Sequence, residues 1–247
     1  MISYKVLLPT SGTGSRLKDI TKNLNKALVL IAGKPAIEYI LTPYAKDVPI
    51  VVTLGFLGTS VKDYLENNHP ERIFEFVWVD KFEGPGSSLG YSMLKAKDNL
   101  QCPFIFHACD GIFVEPIPAP EYNWIGGFVD DWKTTDLPLA QYRTHAMKDG
   151  VILNLNDKGV QGFDSVHIGL DGIYDYKIYW NTLQKIYENN PNDAQISDVP
   201  ILDSMIRQSI EFKWIPYEVW LDTGNIPALE RTEKFLESKM KIVKALP

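Results

Sequence analysis

Cysteine is scarce: the 247 residues contain two, Cys102 and Cys109. With residues 103–109 extended at about 3.3 Å per residue, the two lie roughly 20 Å apart, too far for a disulfide. A reducing compartment suits such a chain. No apolar run approaches the roughly 20 residues of a membrane span, and the opening MISYK lacks a charged leader followed by an apolar stretch. The expectation is a cytoplasmic chain with no membrane partner. Positive charge is also in deficit, 25 Lys and Arg against 31 Asp and Glu for a net charge of -6. That balance argues against general binding to nucleic acid, whose phosphates reward basic patches. An anionic small ligand must then be held locally. There is no internal repeat, low-complexity tract or clear linker, and residues 239–247 read as a fraying tail.

What is present reads as a single α/β unit over residues 1–247, long enough to bury a large core. Strand-like runs at 5–8, 49–54, 73–79 and 103–108 alternate with helical spacing. Ile37, Ile40, Leu41 and Tyr44 recur at that spacing after Pro35, Val61, Tyr64 and Leu65 after Thr59 and Ser60, and Leu89, Met93, Ala96 and Leu100 after the caps Ser87 and Ser88. Strand, helix, strand implies right-handed crossovers and an open, mostly parallel, Rossmann-like sheet with helices on both faces. Ligands of such sheets sit beyond the carboxyl ends of the strands. Residues 115–165, with strand-like pieces at 124–129 and 151–155 and the acidic pair Asp130 and Asp131, read as a smaller β insertion over the sheet on its acceptor side. Helical spacing returns at Tyr179, Leu183, Ile186 and Tyr187, around Val199, Leu202 and Ile206 after Ser197, and from Pro227 to Met240 with Asn225 as cap. The expected division is 1–114, 115–224 and a C-terminal helix from 225.

Three features carry chemistry. A glycine loop, LPTSGTGSRL at 8–17, follows the first strand. Gly12 and Gly14 allow the main chain to curl and aim N–H groups at oxyanions, and Arg16 adds a forked positive charge. It is neither a dinucleotide fingerprint, whose third glycine would fall on Leu17, nor a Walker loop. Asp110 closes the apolar run at 103–109, and Asp222 lies in VWLDTG at 219–224. A carboxylate ending a buried strand is costly unless it is paired or binds a metal, so two of them with a phosphate-type loop point to metal-assisted phosphoryl chemistry on a nucleoside triphosphate.

From Gly12 onward the sequence resembles the sugar-phosphate nucleotidyltransferases, the pyrophosphorylase-type enzymes that make nucleotide sugars. The residues carrying it are Gly12, Gly14, Arg16, Thr21, Lys26, the apolar run 27–31 and Lys34-Pro35. It continues at GPGSSL (84–89), at Asp110, loosely at NDK (156–158) and LDGIY (170–174), and closely at WLDTG (220–224). Asn25 stands where the family often has proline, Ser11 replaces the first glycine of the usual pair, and Cys109 precedes Asp110 where glycine is common. None of these removes a charged group.

The resemblance implies transfer of NMP from an NTP to a sugar phosphate or similar phosphate monoester, with release of pyrophosphate, in surface (capsule) polysaccharide biosynthesis. Because the substrate brings its own nucleophile, position and charge neutralisation are enough. Asp110 and Asp222 would hold Mg²⁺. Pro9, Thr10, Ser11, Gly12, Thr13, Gly14, Ser15 and Arg16 would hold the triphosphate, with Gly86 and Ser87 near the base. Arg16 and Lys26 would neutralise the phosphates, Lys158 would meet the acceptor phosphate, and Asp171 or Tyr174 the acceptor's hydroxyls. The partners are an NTP and a small phosphorylated acceptor, with self-association into a homo-oligomer left open.

Plainer uses stand beside these. Asp110 and Asp222 also suit turns, and Lys158 sits in a hairpin-like NDKG. His107 and Cys109, alternating onto one strand face, make a buried pair rather than a zinc site. Phe74, Phe76 and Trp78 read as one buried face of a strand. Other functions remain open: a cytidylyltransferase for a non-sugar phosphate such as phosphocholine, a metal-dependent glycosyltransferase, which usually shows D-x-D where this chain has DGI at 110–112, and a non-catalytic nucleotide sensor.

Overall fold

A computed structural model describes residues 3–128 and 142–245; Asp130 and Asp131 lie outside them. The strands are β1 (Lys5–Pro9), β2 (Leu30–Ile31), β3 (Lys34–Pro35), β4 (Ile50–Leu54), β5 (Phe74–Trp78), β6 (Phe104–His107), β7 (Gly111–Phe113), β8 (Trp124–Phe128), β9 (Thr144–Lys148), β10 (Val151–Asn156), β11 (Ser165–Ile173), β12 (Lys213–Tyr217) and β13 (Trp220–Asp222). The helices are α1 (Ala36–Leu41), α2 (Gly58–Asn68), α3 (Leu89–Lys95), α4 (Tyr176–Asn189), α5 (Asp198–Arg207) and α6 (Ile226–Ala245).

Strands β5, β4, β1 and β6 are adjacent and parallel. Their apolar runs alternate between two cores, as a pleated strand covered on both faces requires. Val6, Leu8, Ile50 and Val52 pack with Ile37 and Ile40 of α1, Val61 and Leu65 of α2 and Leu229 of α6. Leu7, Val51, Phe104 and Phe106 face Met93 of α3, Tyr179 and Trp180 of α4, and Leu202 of α5. Caps appear where side chains can supply them: Ser88 Oγ accepts from Tyr91 N, and Asn225 Oδ1 from Ala228 N.

The open, mostly parallel sheet is not what forms. Beyond β6 the pairing is antiparallel except between β8 and β12, which are parallel, and β11, β8, β12, β10 and β9 close on themselves because β9 bonds both β10 and β11. The sheet is therefore a mixed five-stranded barrel with β6, β1, β4 and β5 outside it. The physical reason lies in β11. This nine-residue strand shifts register against β8 between His167 and Asp171, a bulge that bends it far enough to serve β6, β8 and β9. Strands β9, β10 and β11 follow one another with no helix between them, so β9 pairs antiparallel with both β10 and β11 rather than through parallel crossovers. The segment read as an insertion over the sheet supplies strands of the sheet itself. A second correction concerns β5, which lies at the sheet edge: Phe74 and Phe76 are half-buried and stack at 5.8 Å, while Trp78 is 52% exposed. His107 and Cys109 are buried, and both cysteines are free.

Candidate active site

The loop after β1 is pinned at its two ends. Thr10 is fully buried, its Oγ1 donating to Thr53 O, and Asn25 Nδ2 donates to Thr10 O and Phe56 O. Ser11 shares a 2.8 Å bond with Ser92. Gly14, at φ 67°, turns the chain into a 3-10 segment, and a Cβ there would stand 3.1 Å from Thr21 and 3.2 Å from Lys26 side-chain carbons. A Cβ on Gly12 would meet nothing within 4 Å. Gly14 is thus demanded by the chain's own backbone and packing, whereas Gly12 opens onto empty space.

That space is a cavity of about 440 Å³, bounded by Pro9, residues 11–17, Lys26, Ser87, Ser88, Asp110 and, opposite, Ala194. A neighbouring cavity of about 580 Å³ contains Tyr142, Arg143, Lys158, His167, Asp198, Trp220 and Asp222 in its walls. Arg16, Leu89, Ala108 and Asp110 border both.

Asp110 and Asp222, 112 positions apart in the sequence, meet because β7 and β13 pair antiparallel, setting Asp222 opposite Gly111. Thr223 N donates to Asp110 O at 2.8 Å, and Thr232 of α6 donates to Asp222 O. His107 fixes the turn from below: burial pushes its imidazole down to about 4, so it is neutral, with Nε2 donating to Gly111 O and Nδ1 accepting from Tyr44. Asp110 Oδ2, Asp222 Oδ1 and Arg16 Nη2 each lie 3.1 Å from the point where a Cβ on Gly224 would stand, so the carboxylates are at most twice that distance apart. Only glycine leaves this point clear.

The two acids differ electrostatically. Burial works to raise Asp110, but Lys26 at 3.9 Å and Arg16 at 2.9 Å outweigh it and hold the carboxyl below its ordinary value. Burial and the charge of Asp110 raise Asp222, against the bonds from Tyr142 OH (2.6 Å) and Gly224 N (2.7 Å). An ionised acid beside one held part-way up is a pair that a cation would relieve.

Of the other residues expected from sequence, Ser87 lines the first cavity, and Lys158 lines the second. Gly86 lines neither cavity, and a Cβ on it would stand 3.6 Å from Pro191 O and Asn192 Oδ1. Asp171 and Tyr174 are not brought to the cleft. Asp171 is 1% exposed beneath the second cavity, and burial, with Asp198 adding and His167 opposing, pushes its carboxyl up to about 8. Tyr174 follows β11, whose antiparallel run against β6 carries it to the opposite end of the sheet from Asp110. Tyr142, Arg143, His167 and Asp198 had no signal in the sequence, because their position depends on the barrel's long-range pairing.

No family model matches the chain. It is 34% identical over 108 residues to the bifunctional protein GlmU of Methanococcus vannielii, a match taking in 43% of this chain and 24% of that relative. It is 30% identical over 112 residues to the choline-phosphate cytidylyltransferase of Streptococcus pneumoniae, 44% of this chain and 46% of the relative. The chain therefore aligns with under half the length of these curated relatives. Its fold matches apo UDP-glucose pyrophosphorylase with a TM-score of 0.75 at 17% identity, over 97% of this chain and 100% of that one. The sequence match over 108 residues relates this part of the chain to the nucleotidyltransferase superfamily that includes the sugar-nucleotide enzymes, and the structural likeness shows that nearly the full length shares their fold. Among the described residues, no helix is long and apolar enough to cross a membrane.

Proposed function

We propose that the chain transfers a nucleotidyl group from an NTP to a small phosphate monoester and releases pyrophosphate. The observation that carries this is the convergence of Asp110, Asp222 and Arg16 where the two cavities meet. The first cavity, walled by loop backbone at 11–15, suits a triphosphate; the second, with Arg143 and Lys158 in its wall, suits a phosphorylated acceptor. On this reading residues 1–114 serve the nucleotide and 115–224 the acceptor.

The donor set fits Mg²⁺: two carboxylates meet where Gly224 carries no side chain, and they would offer the ion the oxygen ligands it prefers. When bound, Mg²⁺ supplies positive charge against the α-phosphate. The chain's own groups do the rest. Asp110 and Asp222 hold the ion, and main-chain N–H groups of Gly12, Thr13, Gly14 and Ser15 position the phosphates. Arg16, 65% exposed and now bonded to Asp110, is free to turn to the departing pyrophosphate. Lys26, more enclosed, offsets charge at the reacting centre. Arg143 and Lys158 orient the acceptor phosphate for in-line attack. Supply of an activated sugar for surface-polysaccharide assembly rests on the family resemblance alone. A non-sugar acceptor is the second reading, favoured by the match to the choline-phosphate enzyme.

A screen of NTPs against sugar phosphates and amino-alcohol phosphates, scored by pyrophosphate release, tests the proposal. One NTP and acceptor pair should give release that requires both substrates and is abolished by EDTA. Tight NTP binding without release for any acceptor would replace the enzyme with a nucleotide sensor.

A further inference from the structure

A second group of metal-ligating side chains lies beneath the acceptor-side cavity, apart from Asp110 and Asp222. His167 Nε2 or Nδ1 and carboxylate oxygens of Asp171 and Asp198 lie within 4.8 Å of one another. His167 and Asp171 come from β11, on either side of its bulge, and Asp198 is the first residue of α5. His167 and Asp198 border the cavity; Asp171, 1% exposed, stands behind them.

Two observations separate this from an ordinary buried network. Both carboxylate oxygens of Asp171 are buried without a hydrogen-bond partner. A carboxylate in that position is costly unless a cation faces it. The imidazole is also fixed from behind, since His167 Nδ1 bonds His145 Nε2 at 3.1 Å and His145 Nδ1 bonds Ser165 Oγ at 2.7 Å. Metal-bound histidines generally have their second nitrogen held in this way. Nε2 is left toward the carboxylates, 2.7 Å from Asp198 Oδ2. Ligand atoms around a tetrahedral zinc stand roughly 3.3–3.6 Å apart. The spacings here, from 2.7 Å up to 4.8 Å, bracket that value. Arg143, in the wall of the same cavity, makes no bond to Asp171: its Nη1 donates to Ser197 Oγ at 3.4 Å and its Nε lies 3.7 Å from Asp157.

We propose that His167, Asp171 and Asp198 bind a divalent d-block cation of the zinc class, with its remaining coordination position open to the acceptor-side cavity. One imidazole with two carboxylates is a donor set for Zn²⁺ or Mn²⁺, and Mg²⁺, which takes oxygen ligands, is the poorer fit. The site is independent of the ion proposed at Asp110 and Asp222.

The test uses chelator-stripped full-length protein titrated with Co²⁺ and then Zn²⁺, read by visible ligand-field absorption and metal content. The wild type should bind one Co²⁺ with imidazole-type absorption, displaced by Zn²⁺, and the double variant Asp110→Asn/Asp222→Asn should keep it. Asp171→Asn should abolish it, and His145→Gln should weaken it about 10- to 100-fold. Absence of Co²⁺ and Zn²⁺ binding in folded wild type would overturn the proposal. So would an ion lost in the Asp110/Asp222 double variant. Because none of these readouts involves an NTP, the metal site and the transferase reading fail separately.

Discussion

The two halves of the cleft were built by different means. The proposed nucleotide side hangs on parallel strands whose neighbours are set by short crossovers, and most of its polar groups fall within residues 9–26. The proposed acceptor side is a barrel closed by pairings between β8, β9, β10, β11 and β12, and to the shared Arg16, Leu89, Ala108 and Asp110 its wall adds residues from 142 to 225. Local structure makes the first half, and long-range register makes the second. The nucleotide side should therefore lose function through single loop residues, and the acceptor side through changes that disturb strand pairing.

The largest expected effect falls where the halves meet. Asp110→Asn and Asp222→Asn should each lower turnover by about a hundredfold or more, with the double change costing little beyond either, because both serve one ion. Additive losses would mean the acids act separately, and the meeting point would not be a single site.

Arg16→Ala should cost about 10²- to 10³-fold in kcat with the fold intact, as expected for removing a preorganised charge partner of the leaving group. Lys26→Met should lower kcat far more than it raises KM for the NTP, since its contribution is greatest in the transition state. A folded Arg16→Ala variant with full activity would remove the loop from the chemistry.

The loop's glycines sharpen the comparison within one half. Gly14→Ala places a Cβ at positive φ against Thr21 and Lys26, and should lower stability by about 1–2 kcal/mol in thermal or denaturant unfolding. Gly12→Ala should leave stability within about 0.5 kcal/mol, and should instead weaken NTP binding by crowding the cavity. Equal destabilisation by both would show that Gly12 serves the fold.

A further effect, confined to acid pH, concerns the turn beneath Asp110. His107 is neutral in the fold, with its pKa lowered to about 4 from an ordinary 6.5. The unfolded chain therefore binds the extra proton, and stability should decline as pH falls from about 6.5 to about 4, by at most about 3.4 kcal/mol from this group. His107→Gln should flatten that part of the urea-unfolding profile. An unchanged pH slope would mean the ring is not held neutral.

How much of this the sequence disclosed follows the same division. Strands β1, β4, β5 and β6 and the helices between them were legible because each carries its own period, with Ser88 capping α3 in addition. The Gly12 to Lys26 loop and the two acids were legible because they sit at strand ends in recognisable local strings. The barrel was not. Nothing local in residues 142–145 or around His167 says that β9 will bond β11, and a bulge in β11 turned an expected open sheet into a closed one. Asp171 and Tyr174 line neither cavity for that reason. They were assigned by adjacency in sequence, while strand direction took one beneath the cavity and the other to the far end of the sheet.

The most direct test of the central claim is a crystal structure with bound NTP and Mn²⁺ in place of Mg²⁺, read by anomalous scattering. The account predicts an ion bounded by carboxylate oxygens of both Asp110 and Asp222 and by the α-phosphate, with Arg16 released from Asp110 toward the terminal phosphates. A nucleotide bound in the first cavity, with no ion contacting both carboxylates, would contradict it.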